Sequence, residues 1–476
     1  MADECLLGGI GPARDKNFYV GMPPVEFLRD RESRREVARS VASGNYIRRI
    51  QSGLSNWTTR PNHNSNLLPM PNATESARAL IIVMGDLGRS PRMLNHARAL
   101  RARGWAVTLA GYGKNPPPPD LAEDPGVRVA ALDACGEETG GVLWRLAAEV
   151  RRERWTAVLV QNPPGFPVLF VLWLASRRGE RRVLDWHNLG SSLLALRPSP
   201  RRFAAKVYGW CERWSARIAD DHWAVSAALA QKLPGIRAVV VHDRPSRIFR
   251  ASAAAQKLSA ISDTGAEPAA ERLAWWHRVL PHTAPPAAAC WVVAPSSWGP
   301  DEDVGAMLRV AGALRKKSGD WGDAPRVAII ATGQGPLQPE FARAAASFAE
   351  GPVTLHTAWV PAAEYPALLA HADAGLCLHR SSSGLDLPMK LADFRGAGRK
   401  ALVLDYGPVL AEVFRPESDG WTFRDDAALA AGLQRVALMT QAERTAHPRA
   451  DDTWEAEWDR ELGDWAAALE AEAGGT

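Results

Sequence analysis

The segment HRSSSGLDLPMKLAD, residues 379–393, places hydroxyls, a glycine and two carboxylates around a single lysine. It follows the short apolar run AGLCLH, so we expect its polar side chains at the carboxyl end of a strand, where open α/β sheets bind ligands. Lys390 can neutralise a diphosphate. Asp386 and Asp393, expected two helical turns apart, can accept hydrogen bonds from ribose hydroxyls. The alternative is a solvated helix face, which the serine-glycine loop disfavours.

The segment MGDLGRSPRM, residues 84–93, follows the first apolar run and opens a helix. Gly85 and Gly88 allow the backbone to approach a ligand closely, and Arg89 suits an anion at a helix start. Asp86 can orient a hydroxyl or accept its proton. A tight strand-to-helix turn without any ligand is the simpler alternative.

A histidine stands at the end of a buried-strand pattern in LDWHNLGSS, residues 184–192. His187 can act as a proton acceptor, with Asp185 or Asn188 fixing its surroundings. A single histidine is usually structural, so the functional interpretation depends on its position at a strand end.

A fourth loop, ATGQGPL at residues 331–337, carries Gly333 and Gly335 after another apolar run. Their backbone amides can meet a phosphate or a base, although a GxG pattern is also common in ordinary turns. Together the four loops indicate a ligand with a diphosphate, a ribose and a reacting hydroxyl partner. A nucleotide sugar and its acceptor meet this description.

Short apolar runs alternate with helical or loop segments in both halves of the chain, which predicts parallel sheets covered on both faces. We expect an α/β protein of two doubly wound, Rossmann-like domains that face a cleft, closed by a C-terminal amphipathic helix with Thr453 as its cap. The expected divisions are an irregular extension at 1–75, a first domain at 76–245, a linker at 246–287, a second domain at 288–445 and the helix at 446–476.

The composition is that of an ordinary globular protein, with 46% apolar and 23% charged residues and a net charge of +4. This charge does not predict a nucleic-acid partner. The five cysteines are scattered, without the spacing of a zinc site or a disulfide framework. The acids of DED, residues 301–303, are expected to open a helix, where acids favour the N-terminus, rather than to hold a diphosphate-bound metal.

No stretch reaches the roughly 18 to 20 apolar residues that a membrane-spanning helix requires. The run FPVLFVLWLAS, residues 166–176, leads into RRGERR and has two interpretations. It is either a buried helix that ends in a solvated basic turn, or an interfacial helix whose cationic end meets anionic headgroups.

Successive motifs between about residues 79 and 406 resemble those of one known family, in the family's order. They are GDLGRSPRM, QNPPGFP, LDWHN, VHDRP, SSWGPDED, TGQGPL, AEYPALLAHADAGLCLHRSSSGLDLPMK and Asp393. The set resembles the chitobiosyldiphosphodolichol β-mannosyltransferases of asparagine-linked glycosylation. This resemblance implies a GT-B glycosyltransferase that moves mannose from GDP-mannose to dolichol-diphosphate-chitobiose, at the cytosolic face of the endoplasmic reticulum membrane. The β-1,4 linkage would form with inversion.

An inverting transfer needs a base for the acceptor hydroxyl and positive charge on the departing diphosphate. His187 and Asp86 are the candidates for the base or its orientation, and Lys390 and Arg89 would stabilise the leaving GDP. The resemblance also implies a nucleotide-sugar-binding set, which consists of Gly333, Gly335, Ser383, Gly384, Leu385, Asp386, Lys390 and Asp393.

The sequence does not require a tightly bound cofactor, and a divalent metal is compatible with it. The implied partners are GDP-mannose, the dolichol-linked acceptor, a membrane surface and other glycosyltransferases of lipid-linked oligosaccharide assembly. Related enzymes usually carry an N-terminal membrane anchor, which residues 1–75 do not supply, so segment 166–176 is the candidate for peripheral binding. Two alternatives remain open: a GDP-sugar transferase for another polyprenyl-diphosphate or soluble acceptor, and a non-catalytic binding protein of the same fold.

Overall fold

The computed structural model describes residues 77–133, 139–196, 202–233, 235–252, 268–283, 286, 290–316, 318–444 and 452–474. These residues form two parallel sheets with helices packed on them. The expected irregular extension at 1–75 lies outside the described ranges, as does part of the expected linker at 246–287.

The first domain contains seven strands and the helices that connect them. The strands are β1 (Arg78–Asp86), β2 (Ala106–Tyr112), β3 (Val127–Ala131), β4 (Ala157–Asn162), β5 (Arg181–Trp186), β6 (Asp221–Ala224) and β7 (Val239–Val240). The helices are α1 (Pro91–Ala102), α2 (Pro119–Ala122), α3 (Thr139–Arg152), α4 (Val168–Ala175), α5 (Gly190–Ala195), α6 (Arg202–Ala216) and α7 (Ala227–Gln231). The sheet order is β3-β2-β1-β4-β5-β6-β7, and the strand pairs are parallel.

The second domain repeats this plan with six strands. They are β8 (Cys290–Pro295), β9 (Val327–Thr332), β10 (Val353–Ala358), β11 (Ala374–Cys377), β12 (Ala401–Leu404) and β13 (Gly420–Phe423). The helices are α8 (Pro268–Val279), α9 (Gly305–Lys316), α10 (Gln338–Ala345), α11 (Tyr365–His371), α12 (Lys390–Gly396), α13 (Asp426–Leu438) and α14 (Gln441–Arg444). The parallel sheet has the order β10-β9-β8-β11-β12-β13.

The strand order of each sheet reverses beside its first strand, between β1 and β4 in one domain and between β8 and β11 in the other. Loops that leave neighbouring parallel strands at such a reversal diverge to opposite faces and open a crevice at their carboxyl ends. The polar loops singled out above leave β1, β5, β9 and β11. The fold therefore brings each of them to the ligand-binding edge of its sheet.

A last helix, α15 (Trp454–Gly474), returns to the first domain. It is capped by Thr453, whose Oγ1 accepts a hydrogen bond from the Ala456 amide at 3.1 Å. The indole of Trp454 donates to the Asn95 carbonyl at 3.0 Å, and that of Trp458 to Nδ1 of His96 at 3.1 Å. The predicted α/β architecture of two doubly wound domains with a closing helix is confirmed.

Helix α4 lies within the apolar segment 166–176 and is buried on one face only. Val168, Leu169 and Leu172 are fully buried, whereas Phe170 and Trp173 are exposed. The interpretation as a buried helix therefore holds for one face of α4, and the interpretation as an interfacial helix stays a prediction. Within the described ranges, no helix is both long and apolar enough to cross a bilayer.

Candidate active site

His187 follows β5 and forms a dyad with Asp185. Its Nε2 lies 3.0 Å from Oδ2 of Asp185, and its side chain is 18% exposed while that of Asp185 is fully buried. An ionised carboxylate only accepts hydrogen bonds, so the imidazole must carry its hydrogen on Nε2. Nδ1 then presents a lone pair, and no described residue donates a hydrogen bond to it. This arrangement suits a proton acceptor.

The Asp185 charge is held by a buried arginine. Arg92 donates from Nε to Oδ2 at 2.8 Å and from Nη2 to Oδ1 at 2.9 Å, and it also binds Asp243 at 2.9 Å. Burial alone would raise the pKa of the Asp185 carboxyl, but Arg92 and His187 together lower it well below its usual range. Asp185 therefore stays ionised and keeps the His187 hydrogen on Nε2.

A second histidine completes the buried side of this cluster. His96 accepts from Trp458 at Nδ1, so its Nε2 carries the hydrogen that faces Asp185 at 3.3 Å. Burial lowers the pKa of His96, which keeps its ring neutral. The closing helix thus fixes the tautomer of a residue that supports the dyad.

Lys390 lies in the second domain, at the start of α12, and forms an ion pair with Glu302. Glu302 is buried and also accepts hydrogen bonds from the amides of Ser297 and Trp298 at 2.9 and 3.2 Å. Burial lowers the pKa of Lys390 to about 8, although the Asp301 and Asp393 carboxylates raise it. The Lys390 ammonium is therefore positioned by the loop that follows β8.

The serine-glycine loop, residues 379–386, is held together by hydrogen bonds from its side chains to the carboxylate of Asp386. Asp386 accepts hydrogen bonds from Nε2 of His379 at 2.8 Å, from the Ser383 hydroxyl at 3.2 Å and from the Ser381 hydroxyl. Although burial raises the pKa of Asp386, the His379 hydrogen bond helps to lower it, so the carboxylate stays charged. Gly384 has φ +72°, and a side chain there would face open space.

Direct hydrogen bonds join the loops of the two domains. Asn188 accepts from the Ser383 hydroxyl at 2.8 Å and donates to Ser382 at 3.2 Å. Arg89 donates from Nη2 to the Gln334 carbonyl at 3.0 Å, which joins the loop after β1 to the loop after β9. The four predicted loops therefore meet in two cross-domain pairs, and the residue next to His187 touches the serine-glycine loop.

Comparison with known proteins identifies the family. The Glycosyl transferase 4-like domain matches residues 88–244, and the Glycosyl transferase-like family matches residues 307–460. The chain is 32% identical over 375 residues to chitobiosyldiphosphodolichol beta-mannosyltransferase of Eremothecium gossypii, covering 74% of this chain and 77% of the relative. It is 30% identical to the Homo sapiens protein of the same name, over 75% of this chain and 83% of the relative. The chain belongs to the chitobiosyldiphosphodolichol β-mannosyltransferase family.

The fold of this mannosyltransferase family member is also similar to that of solved glycosyltransferases. Sucrose-phosphate synthase of Thermosynechococcus elongatus superimposes with a TM-score of 0.55 at 16% identity, covering 84% of this chain and 97% of that one. At this identity the likeness shows a shared fold alone. The chain is a glycosyltransferase of the GT-B architecture.

Asp86, one of the two expected catalytic groups of this mannosyltransferase, has both carboxylate oxygens engaged. Oδ1 accepts from the Asn115 amide at 3.0 Å, and Oδ2 accepts from the Asn115 side chain. The Gly88 amide donates to the Asn115 carbonyl at 3.2 Å, and a side chain at position 88 would overlap the Pro116 carbonyl. Asp86 and Gly88 therefore hold the loop after β2 against the loop after β1, whereas a side chain at Gly85 would make only an ordinary contact.

Gly333 and Gly335 are required by packing within the second domain. Gly333 has φ +123°, and a side chain there would overlap the Ser296 carbonyl oxygen. A side chain at Gly335 would overlap the carbonyl of Ser297. The two glycines let the loop after β9 lie against the loop that carries Glu302.

The expected helical spacing of the two acids is wrong, because α12 begins only at Lys390. Asp386 lies in the loop before it, with its oxygens bound to that loop. Asp393 is in the helix and accepts from the Tyr365 hydroxyl at 3.4 Å. Burial and the nearby Asp243 carboxylate raise the pKa of Asp393 to about 7, against the lowering effect of Tyr365 and Lys390.

Sequence reasoning missed three residues that organise the site: Glu302, Arg92 and His379. The acids at 301–303 do not begin a helix, since α9 starts at Gly305, and Glu302 instead turns inward to Lys390. Glu302 could have been predicted as the partner of Lys390, because it is an acid in the loop that follows β8 in the same domain. Among the described residues, no group of three or more His, Cys, Asp or Glu side chains is arranged to hold a metal ion.

Proposed function

We propose that this protein transfers mannose from GDP-mannose to dolichol-diphosphate-chitobiose, forming the β-1,4 linkage of the first mannose in the lipid-linked oligosaccharide. The relatives' names supply the acceptor class. The observation that carries the proposal is the pairing of a His187–Asp185 dyad in one domain with a Lys390–Glu302 pair in the other, across loops that touch through Asn188 and Ser383.

His187 is the base in this proposal. Its Nδ1 lone pair accepts the proton of the acceptor's 4-hydroxyl as that oxygen bonds to the anomeric carbon of mannose. The positive charge that develops on the ring is stabilised by Asp185, whose own charge Arg92 maintains. Asp86 acts by holding the loop after β2 against the loop after β1, since both of its oxygens already bind Asn115.

The leaving group departs toward the second domain. As the bond between the anomeric carbon and the phosphate oxygen breaks, its electron pair remains on GDP, and the Lys390 ammonium neutralises the added charge. The Ser383 amide and the Arg89 guanidinium lie on loops that join the two domains and are assigned to the departing diphosphate. The amides of Gly384 and Leu385 already donate to the Ser381 and Ser383 hydroxyls, so these residues shape the loop. Asp393 is assigned to the ribose, because it follows Lys390 by less than one helical turn.

The reaction requires access to a lipid-linked sugar, so we place the protein at the cytosolic face of the endoplasmic reticulum membrane. Other glycosyltransferases of lipid-linked oligosaccharide assembly are the proposed partners. A divalent metal is compatible with the site but is given no role in the displacement.

The test is an assay with labelled GDP-mannose and a short-chain lipid-diphosphate chitobiose, alongside UDP-glucose as donor and chitobiose as acceptor. The expected result is a mannosylated lipid whose sugar is released by a β-mannosidase, with little transfer from UDP-glucose. Turnover only with a different acceptor would reject the proposed acceptor. GDP-mannose binding without turnover on any acceptor would reject catalysis altogether.

A further inference from the structure

Helix α6 carries its large apolar side chains on the outside. Phe203 is 75% exposed and Trp210 is 62% exposed, and Val207 and Trp214 are exposed on the same stripe. The face turned to the protein instead carries small or polar residues, such as Gly209 and Ser215. A helix on a globular protein normally buries its apolar stripe, so this reversal indicates a partner beyond the residues that the structure describes.

Helix α4 adds a second outward apolar stripe beside the first. Trp173 is 58% exposed, and its ring stacks on that of exposed Phe170 with 5.7 Å between centroids. The two helices pack against each other, and the Tyr208 hydroxyl of α6 donates to the Phe166 carbonyl just before α4. We call the combined area the aromatic surface, which consists of Phe170, Trp173, Leu174, Phe203, Val207, Trp210 and Trp214.

The charge around the aromatic surface is positive. Exposed cations lie on or directly after the two helices, namely Arg177, Arg178, Lys206, Arg213 and Arg217. The only acid within α4 and α6 is Glu212, which is 2% exposed and faces inward. Aromatic side chains with a cationic border and no exposed acid match the interface of a bilayer that contains anionic lipid.

The aromatic surface is linked to the active site through the opposite face of α6. There Glu212 accepts from the Gly190 amide at 2.8 Å and from Nδ2 of Asn162 at 3.1 Å. The same Asn162 amide donates to the Asn188 carbonyl at 2.9 Å. One helix therefore presents tryptophans on its outer side and holds the loop that follows His187 on its inner side.

We propose that the aromatic surface docks this protein on anionic phospholipid, with the tryptophans among the headgroups and the basic side chains against the phosphates. The orientation of this docking rests on the proposed lipid-linked acceptor, because docking on α6 brings a bilayer-bound diphosphate sugar to the domain that carries His187. The docking itself requires only exposed aromatic and cationic side chains.

The test is co-flotation of the full chain with phosphatidylcholine vesicles, with and without phosphatidylserine. Wild-type protein is expected to float with the phosphatidylserine vesicles. The Trp173→Glu/Trp210→Glu variant is expected to bind roughly tenfold more weakly, because two aromatic side chains leave the interface and two negative charges enter it. The matched control is Trp359→Glu/Leu438→Glu, since these apolar residues of the second domain are also exposed, at 43% and 64%. It should float like wild type.

A second variant tests the contribution of the basic side chains, and it keeps the proposal testable if the first variant does not fold. Lys206→Gln/Arg213→Gln keeps every aromatic residue and is expected to lose several-fold of the phosphatidylserine-dependent binding. Circular dichroism and the thermal unfolding midpoint check that each variant is folded; the mutated positions are exposed, so little change is expected.

The proposal is overturned if wild type ignores both vesicles, or if folded variants of both kinds float like wild type. The proposal is also overturned if the lipid-free protein is a dimer that Trp173→Glu/Trp210→Glu converts to a monomer. That result would assign the aromatic surface to a second copy of the chain. Turnover of a short-chain acceptor in detergent separates this proposal from the proposed function. A variant that keeps its turnover but no longer floats supports both the proposed function and the proposed docking. Flotation requires no mannosyl transfer, so a failure of the proposed function cannot by itself cause a loss of vesicle binding.

Discussion

Two features of the surroundings act on Lys390: one lowers the pKa of its ammonium group, and the other fixes the position of its side chain. Burial lowers the pKa of its ammonium to about 8, and the ion pair with Glu302 fixes the side chain. A diphosphate adds negative charge beside the ammonium and favours its protonated form. If Lys390 binds the donor as proposed, donor binding and its protonation are coupled.

We expect the affinity for GDP to fall as the pH rises through about 8. The lysine is charged below its pKa and neutral above it, so roughly tenfold of affinity should be lost between about pH 7 and pH 9 if its charge carries the attraction. Isothermal titration calorimetry across this range measures the effect. In Lys390→Arg the guanidinium stays charged, so this loss of GDP affinity above about pH 8 should disappear. An equal loss in wild type and Lys390→Arg would assign the dependence to another group.

The candidate residues His187 and Lys390 and the nearby partner Asp185 could be read from the sequence, whereas the distant partners could not. His187 directly follows one recognisable apolar run, and Lys390 lies in the polar segment that follows another. Asp185 is only two residues from His187 in the sequence. Arg92 and Glu302 are far from their partners in the sequence, and only the fold brings them close. The two acids of the serine-glycine segment were misread because helix α12 starts later than the spacing suggested.

The closing helix α15 depends on a hydroxyl at its first turn. Thr453 Oγ1 accepts from the Ala456 amide, and the helix beyond it buries Trp454 and Trp458 against α1. Removing a cap leaves a helix N–H without its partner and weakens the docking of the whole helix.

We predict that Thr453→Ala lowers the free energy of unfolding by about 1 kcal/mol, the usual value of an N-cap. Urea unfolding followed by tryptophan fluorescence measures it, since this helix buries two indoles. Thr453→Ser keeps the oxygen and should recover most of the loss. Equal destabilisation by alanine and serine would show that the methyl group, rather than the cap, is responsible.

Strands with four or more apolar residues and a following polar loop could be predicted, because burial on both faces leaves a continuous apolar run. Strand β7 has two residues, and β13 carries an exposed threonine within its four, so neither makes such a run. Helix α6 could be predicted as a helix, but the direction of its apolar stripe could not. Its apolar spacing is helical, but the periodicity does not reveal that the apolar stripe faces outward.

The two domains and the closing helix meet at His242. Its Nε2 lies 3.0 Å from Glu412 of the second domain, and its Nδ1 lies 3.3 Å from Glu457 of α15. Only an imidazolium can donate from both nitrogens. Burial lowers the pKa of His242, and Arg244 lowers it further, but the hydrogen bonds to Glu457 and Glu412 outweigh both and raise it.

We predict a pH-dependent contribution of His242 to stability. Since its folded pKa is raised above the unfolded value of about 6.5, the stabilisation is fully present below that pH and is lost as the pH rises through the folded pKa. Relative to wild type, His242→Gln should be destabilised by roughly 1–2 kcal/mol at low pH and by less at high pH. Thermal unfolding between about pH 5.5 and pH 9 measures the difference. Exposed His277 provides the control, for which His277→Gln should show no such trend.

The account requires that the dyad of the first domain acts on a donor held by the second. The most direct measurement is the single-turnover rate of mannosyl transfer by His187→Ala, with GDP-mannose affinity measured on the same preparation and His277→Ala as control. We predict a rate reduced by about 10² to 10⁴, the usual contribution of a general base, with donor affinity unchanged. Near-normal transfer by His187→Ala would contradict the central claim.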